Sequence, residues 1–107
     1  MELDLHLYYP IIVISGYVEA MAIPEGARNI RVNEVAEANN YLAIKNDQGK
    51  FYLNGDWYIQ WSGDYEAAGT IIHYYREGNK ESFEIPGPLK EKLHILVSAD
   101  DVQYKLL

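Results

Sequence analysis

Short runs in which apolar and polar residues alternate, each cut off by Gly, Pro, Asn or Asp, succeed one another from end to end of this chain. Between them no stretch reads as a helix of useful length, because residues 34–38 have fair helix propensity but run at once into Asn39-Asn40 and are read as a loop. Alternation of period two puts one side of a strand on a core and the other in water. In residues 2–9, Leu3, Leu5 and Leu7 alternate with Asp4, His6 and Tyr8 before Pro10 ends the run. Further extended segments are predicted at 11–14, 17–23, 28–35, 41–45, 50–53, 57–61, 70–76, 82–85, 93–98 and 102–106. Asn46-Asp47-Gln48-Gly49 marks the clearest hairpin, with Gly where a left-handed residue is needed. About ten short strands at such spacing, without the helices that a parallel sheet requires, predict an all-β fold, an antiparallel β-sandwich. Its expected core takes one face of each strand: Leu5, Ile30, Val32, Leu42, Ile44, Ile59, Ile72, Phe83, Ile95 and Val97.

Composition narrows the function classes. The 107 residues are 49% hydrophobic and 23% charged, enough to bury one core without staples, so residues 1–107 read as a single domain. Nine basic against 16 acidic side chains give a net charge of −7, which repels nucleic acid and heparin. With no cysteine, disulfides, thiolate metal sites and a cysteine nucleophile are all excluded. The acidic, alternating start Met1-Glu2-Leu3-Asp4 is not signal-peptide chemistry. The longest apolar run, residues 11–14, falls far short of the roughly 18 residues that span a bilayer, so no membrane partner is expected.

Reactive chemistry is sparse. His6, His73 and His94 fall in different predicted strands, and no triad or nucleophile spacing occurs, so neither an enzyme nor a metal or other cofactor is expected. Asp47, Asp56, Asp64, Asp100 and Asp101 sit in turns without the ordered spacing of a calcium loop. The aromatics carry more information. Trp57, Ile59 and Trp61 share one face of a predicted strand and read as core. Tyr58, Tyr65, Tyr74 and Tyr75 can present a ring at an interface while the hydroxyl stays wet. Arg76 is either part of a binding hot spot or a solvated strand end.

Longer segments carry a specific likeness. Ile23-Pro24-Glu25-Gly26-Ala27-Arg28-Asn29-Ile30-Arg31-Val32, then Asn40-Tyr41-Leu42-Ala43-Ile44-Lys45 and Lys50-Phe51-Tyr52-Leu53-Asn54-Gly55, resemble the spacer domain of the ADAMTS metalloproteases, the ADAMTS-like proteins and papilin. Trp61-Ser62-Gly63-Asp64-Tyr65, Ala68-Gly69-Thr70 and Gly87-Pro88-Leu89 continue it in order, so that it covers about residues 16–104. The resemblance implies a jelly-roll-like sandwich of about ten strands, extracellular in location, that recognises matrix proteins or protease substrates through an exosite. It also directs attention to loops at one end of the sandwich. The matching positions here are Glu37, Asn39, Asn40 and Tyr41 and the last hairpin with Ser98, Asp100 and Asp101, to which Tyr65, Tyr75 and Arg76 are added as interface candidates. Residues 1–15 lack the cysteine that opens such spacers and the last hairpin is short, which points to an isolated, engineered or designed version. A protein-recognition module is therefore the leading expectation. A scaffold without a native ligand and a carbohydrate-binding sandwich are the alternatives, the last depending on exposed Trp57 and Trp61.

Overall fold

Alternation sorts the side chains of each strand onto two faces, and the apolar faces of two sheets meet. The computed structural model describes residues 2–5, 17–34, 41–55 and 60–98, residues 2–5 and 98 through their backbone. Among these residues nine strands form: β1 (Glu2–Leu5), β2 (Tyr17–Ile23), β3 (Ile30–Glu34), β4 (Leu42–Asn46), β5 (Phe51–Leu53), β6 (Gly63–Ala67), β7 (Thr70–Glu77), β8 (Lys80–Ile85) and β9 (Leu93–Ser98). They make a five-stranded sheet, β1-β3-β8-β7-β6, and a four-stranded sheet, β2-β9-β4-β5. The chain repeatedly changes sheet, at β1–β2, β2–β3, β3–β4, β5–β6 and β8–β9, so the architecture is all-β and jelly-roll-like.

The expected core is found. Ile30, Val32, Leu42, Ile44, Ile72, Phe83, Ile95 and Val97 are all buried, and Ile23, Leu53, Tyr74, Ile85, Leu89 and Leu93 join them between the sheets. The burial of Leu5 and Ile59 lies outside the described residues, as do the predicted segments 11–14 and 102–106, residues 6–9 of the first segment and residues 57–59 of another.

Three features depart from the sequence reading. The β1–β3 pair is parallel, Glu2 opposite Arg31 and Leu5 opposite Glu34, whereas the other pairings are antiparallel. Parallel neighbours need a long connection, and here the chain between them passes through β2 in the other sheet. β6 was not expected, because Gly63, Asp64 and Glu66 have low strand propensity. It survives as an edge strand, where charge is tolerated on the solvent side and Tyr65 and Ala67 face inward.

The third departure is Trp61, expected in the core but 86% exposed. Its segment is held by polar backbone contacts instead of by ring burial. The Gln60 amide donates to Asn54 Oδ1 at 2.6 Å, the Asn54 amide donates to Gln60 Oε1, and the Tyr65 hydroxyl donates to the Trp61 carbonyl at 2.5 Å. The Arg76 amide also donates to the Ser62 hydroxyl at 2.8 Å, pinning the chain with the indole outward.

At one end of the sandwich the turn after β2 is sewn to the loop before β9. The Gly26 amide donates to the Leu89 carbonyl at 2.8 Å, the Leu89 amide to Ala27 at 3.0 Å, and the Lys90 amide to Ala68 at 2.8 Å. Gly87 has φ of 75°, and a Cβ there would sit 2.4 Å from the Ala27 carbonyl oxygen.

Ile44 is fully buried in β4, paired with both Ile95 and Leu53. Ile44→Ala is expected to cost about 2–5 kcal/mol in urea denaturation, and a loss below about 0.5 kcal/mol would contradict its core position.

Candidate binding end

The other end of the sandwich gathers the end of β3, the start of β4, the β7–β8 hairpin and the end of β9. Residues 35–40 link Glu34 to Tyr41, and residue 99 follows Ser98, whose backbone pairs with Tyr17 one step beyond the Leu42–Val97 pair. Both candidate loops are thereby rooted at this end. Glu37, Asn39, Asn40, Asp100 and Asp101 themselves lie outside the described residues, as does the side chain of Ser98.

Period-two alternation carries two acids onto the core face here: Glu34 follows Ile30 and Val32, and Glu81 precedes Phe83 and Ile85. Both are buried, with 2% and 1% exposed. The Glu81 carboxylate accepts from the Tyr74 hydroxyl at 2.5 Å, from Asn54 Nδ2 at 3.3 Å and from the Leu42 amide at 3.2 Å. Asn54, fully buried, also donates to the Leu42 carbonyl at 2.8 Å. Glu34 accepts the Glu81 amide on Oε1 at 2.6 Å, while its Oε2 has no hydrogen-bond partner among the described residues.

Burial dominates the electrostatics. Loss of hydration, and the neighbouring Glu81 charge, push the Glu34 carboxyl up to about 8. Glu81 is pushed up to about 7 by burial, against the pull of the Tyr74 hydroxyl, Arg76 and the Leu42 amide. Burial and the adjacent Glu81 likewise raise the Tyr74 phenol well above its ordinary range, so it stays a neutral donor. Near neutral pH Glu34 therefore retains a proton that an exposed glutamate loses.

Arg76 closes this network toward solvent. Its guanidinium lies 4.4 Å from the centre of the Tyr41 ring and its Nη2 is 3.7 Å from Glu81 Oε1, with the side chain only 16% exposed. It is thus not a solvated strand end. Tyr74 is core, held there by its bond to Glu81. Of the other candidates, Tyr75 is 53% exposed but points to the outer face of the five-stranded sheet, opposite Ser82. Tyr65 is half-buried on the edge strand β6, packed against the core. The fold therefore brings Tyr41 and Arg76 together and leaves Tyr65 and Tyr75 elsewhere. Glu34, Asn54 and Glu81 went unread in the sequence, although two acids in phase with core residues were a visible signal.

A second polar cluster sits outside the four-stranded sheet. His94 Nε2 lies 2.5 Å from Asp47 Oδ1, and its Nδ1 meets the Glu19 carboxylate. An imidazole that donates on both sides is the charged form, and the two carboxylates accordingly raise the His94 pKa. Because the acids grip opposite edges of one ring, they share no point for a cation; among the described residues no three such groups converge as a metal site. His73 pairs separately with Asp64 at 2.7 Å. Among the described residues no helix is long and apolar enough to cross a membrane.

Fold and site define a β-sandwich module built around a buried polar network. The family model described as ADAM-TS Spacer 1 matches residues 13–105, and the chain belongs to that family. It is 54% identical over 81 residues to the Homo sapiens protein "A disintegrin and metalloproteinase with thrombospondin motifs 7", across 75% of this chain and 5% of that protein. Identity is 50% over 80 residues to motifs 12 of Mus musculus, covering 74% of the chain and 5% of that protein. To motifs 19 of Homo sapiens it is 47% over 83 residues, covering 78% and 7%. The chain thus spans a small fraction of these relatives, and the matched region is the spacer, a non-catalytic part of proteins named as metalloproteinases. No solved structure matches the chain.

Glu34 supplies a pH test. Its carboxyl ionises near 4.5 in an ordinary setting and near 8 in the fold. Between those values the folded chain holds a proton that the unfolded chain releases, so stability is full below about 4.5 and declines as pH rises toward about 8. Glu34→Gln, which imitates the protonated acid, is expected to stabilise the domain by on the order of 1–3 kcal/mol near pH 8 and little near pH 4.5, measured by urea denaturation. Equal effects at both pH values would show that Glu34 is ionised in the fold.

Proposed function

We propose that this spacer domain is a non-catalytic, exosite-type protein-recognition module that works outside the cell on a matrix protein or a protease substrate. The observation that carries the reading is the Tyr41–Arg76 pair, two residue types that dominate interface hot spots, backed by Glu81 at the end where residues 35–40 and 99–101 are rooted. Glu37, Asn39, Asn40, Ser98, Asp100 and Asp101 are the polar residues assigned to the same interface, whereas Tyr65 and Tyr75 face elsewhere and are not part of it. The net charge of −7 argues against nucleic acid, heparin and anionic membranes as partners. Spacer resemblance supports the extracellular setting, and nothing in the site resembles nucleophile, base or metal machinery.

The test is binding to a panel of immobilised matrix proteins and to heparin at physiological salt. Tyr41→Ala, and replacement of residues 37–40 and 99–101 by Gly/Ser, are expected to weaken protein binding at least about 10-fold. Heparin binding is expected to be negligible, and tight salt-sensitive retention would contradict the charge reading. Unchanged protein binding after loop replacement would remove the loop end from the interface. Trp61, at 86% exposed, favours a second reading in which the indole stacks on a sugar. Oligosaccharide binding abolished by Trp61→Ala but not by loop replacement would decide for it, and failure to bind any ligand would favour a scaffold.

A further inference from the structure

Among the described residues the five-stranded sheet ends in β6, which is hydrogen-bonded there to β7 alone. β6 turns into β7 through Ala68 and Gly69, whose φ angles of 48° and 77° are those of a two-residue type I′ hairpin. Such a turn makes Ala67 and Thr70 the closing hydrogen-bonded pair, and bonded and non-bonded pairs alternate from there. Gly63, Tyr65 and Ala67 therefore spend their backbone groups on β7. Asp64 and Glu66 direct theirs outward, and among the described residues no other backbone group takes them up.

Beside this edge the two sheets part. A cleft of about 820 Å³ opens between β5 and β6, lined by Phe51, Tyr52, Tyr65, Ala67 and Glu66 and by Lys50, whose ammonium lies over the Tyr52 ring. A strand laid along β6 would send alternate side chains into this cleft and the others onto the outer face beside Asp64 and Glu66. The side chain of Asp64 is 66% exposed, Glu66 is exposed, and β6 carries no cation. A second copy pairing antiparallel about Tyr65 would set Asp64 opposite the partner's glutamate twice, so like charge disfavours self-association.

We infer that the open edge of β6 is a docking site for an extended segment of a partner polypeptide in which Lys or Arg alternates with apolar residues. Backbone hydrogen bonds to Asp64 and Glu66 supply affinity, the acids select the basic side chains, and the Tyr52–Tyr65 cleft selects the apolar ones. This surface lies apart from the Tyr41–Arg76 end and stands whether or not that end binds protein.

The test is amide hydrogen exchange, read by NMR on the whole domain, with a blocked eight-residue peptide alternating lysine and valine. The Asp64 and Glu66 amides are expected to slow by about 10-fold or more, with Gly63, Tyr65 and Ala67 little changed because β7 already protects them. A peptide with glutamate in place of lysine should have no effect. Glu66→Lys, which touches neither the core nor the His73–Asp64 pair, should weaken the lysine peptide about 10-fold and improve the glutamate peptide. Unchanged exchange at millimolar lysine peptide, or equal protection by both peptides, would overturn the inference. So would protection that depends on domain concentration alone, which would assign the edge to a second copy.

Discussion

The carboxylate of Glu81 holds one end of the sandwich closed. It sits on β8 of one sheet and accepts hydrogen bonds from Tyr74 on the neighbouring strand, but also from the Leu42 amide in β4 of the other sheet and from the side chain of Asn54, which directly follows β5. Apolar packing between sheets is non-directional and tolerates sliding, whereas a buried acid with several donors accepts one register. Tyr41 and Arg76 acquire their positions from this arrangement, since Leu42 anchors the first and Glu81 faces the second.

That device carries a cost. Burial raises both carboxyls, Glu34 to about 8 with the neighbouring Glu81 charge adding to the rise and Glu81 to about 7. Burying polar groups stabilises less than packing apolar ones and specifies more.

Part of the spacer resemblance lies at the opposite end. Residues 23–29, 68–70 and 87–89 form the knot in which Gly26, Ala27, Ala68, Leu89 and Lys90 exchange backbone hydrogen bonds, and Gly87 meets the Ala27 carbonyl where no side chain fits. Likeness to the family in these segments therefore reflects a folding constraint.

By itself the sequence determined the class of fold, the run of strands and most of the core, because period-two alternation is a local property that one buried face imposes on every strand. Ile30, Val32, Ile44, Ile72, Phe83 and Ile95 announce their burial without any knowledge of their neighbours. The tertiary structure alone decided whatever depends on which strands become neighbours. It made β1 parallel to β3 and placed β6 at an edge. It also turned Trp61 to solvent, because polar contacts from Asn54, Tyr65 and Ser62 outweighed the apparent alternation. Glu81, Tyr74, Asn54 and Leu42 are separated by up to 39 residues and became one network only when the two sheets closed on each other. Hydrogen bonds of that kind act over about 3 Å, so no spacing along the chain could encode them.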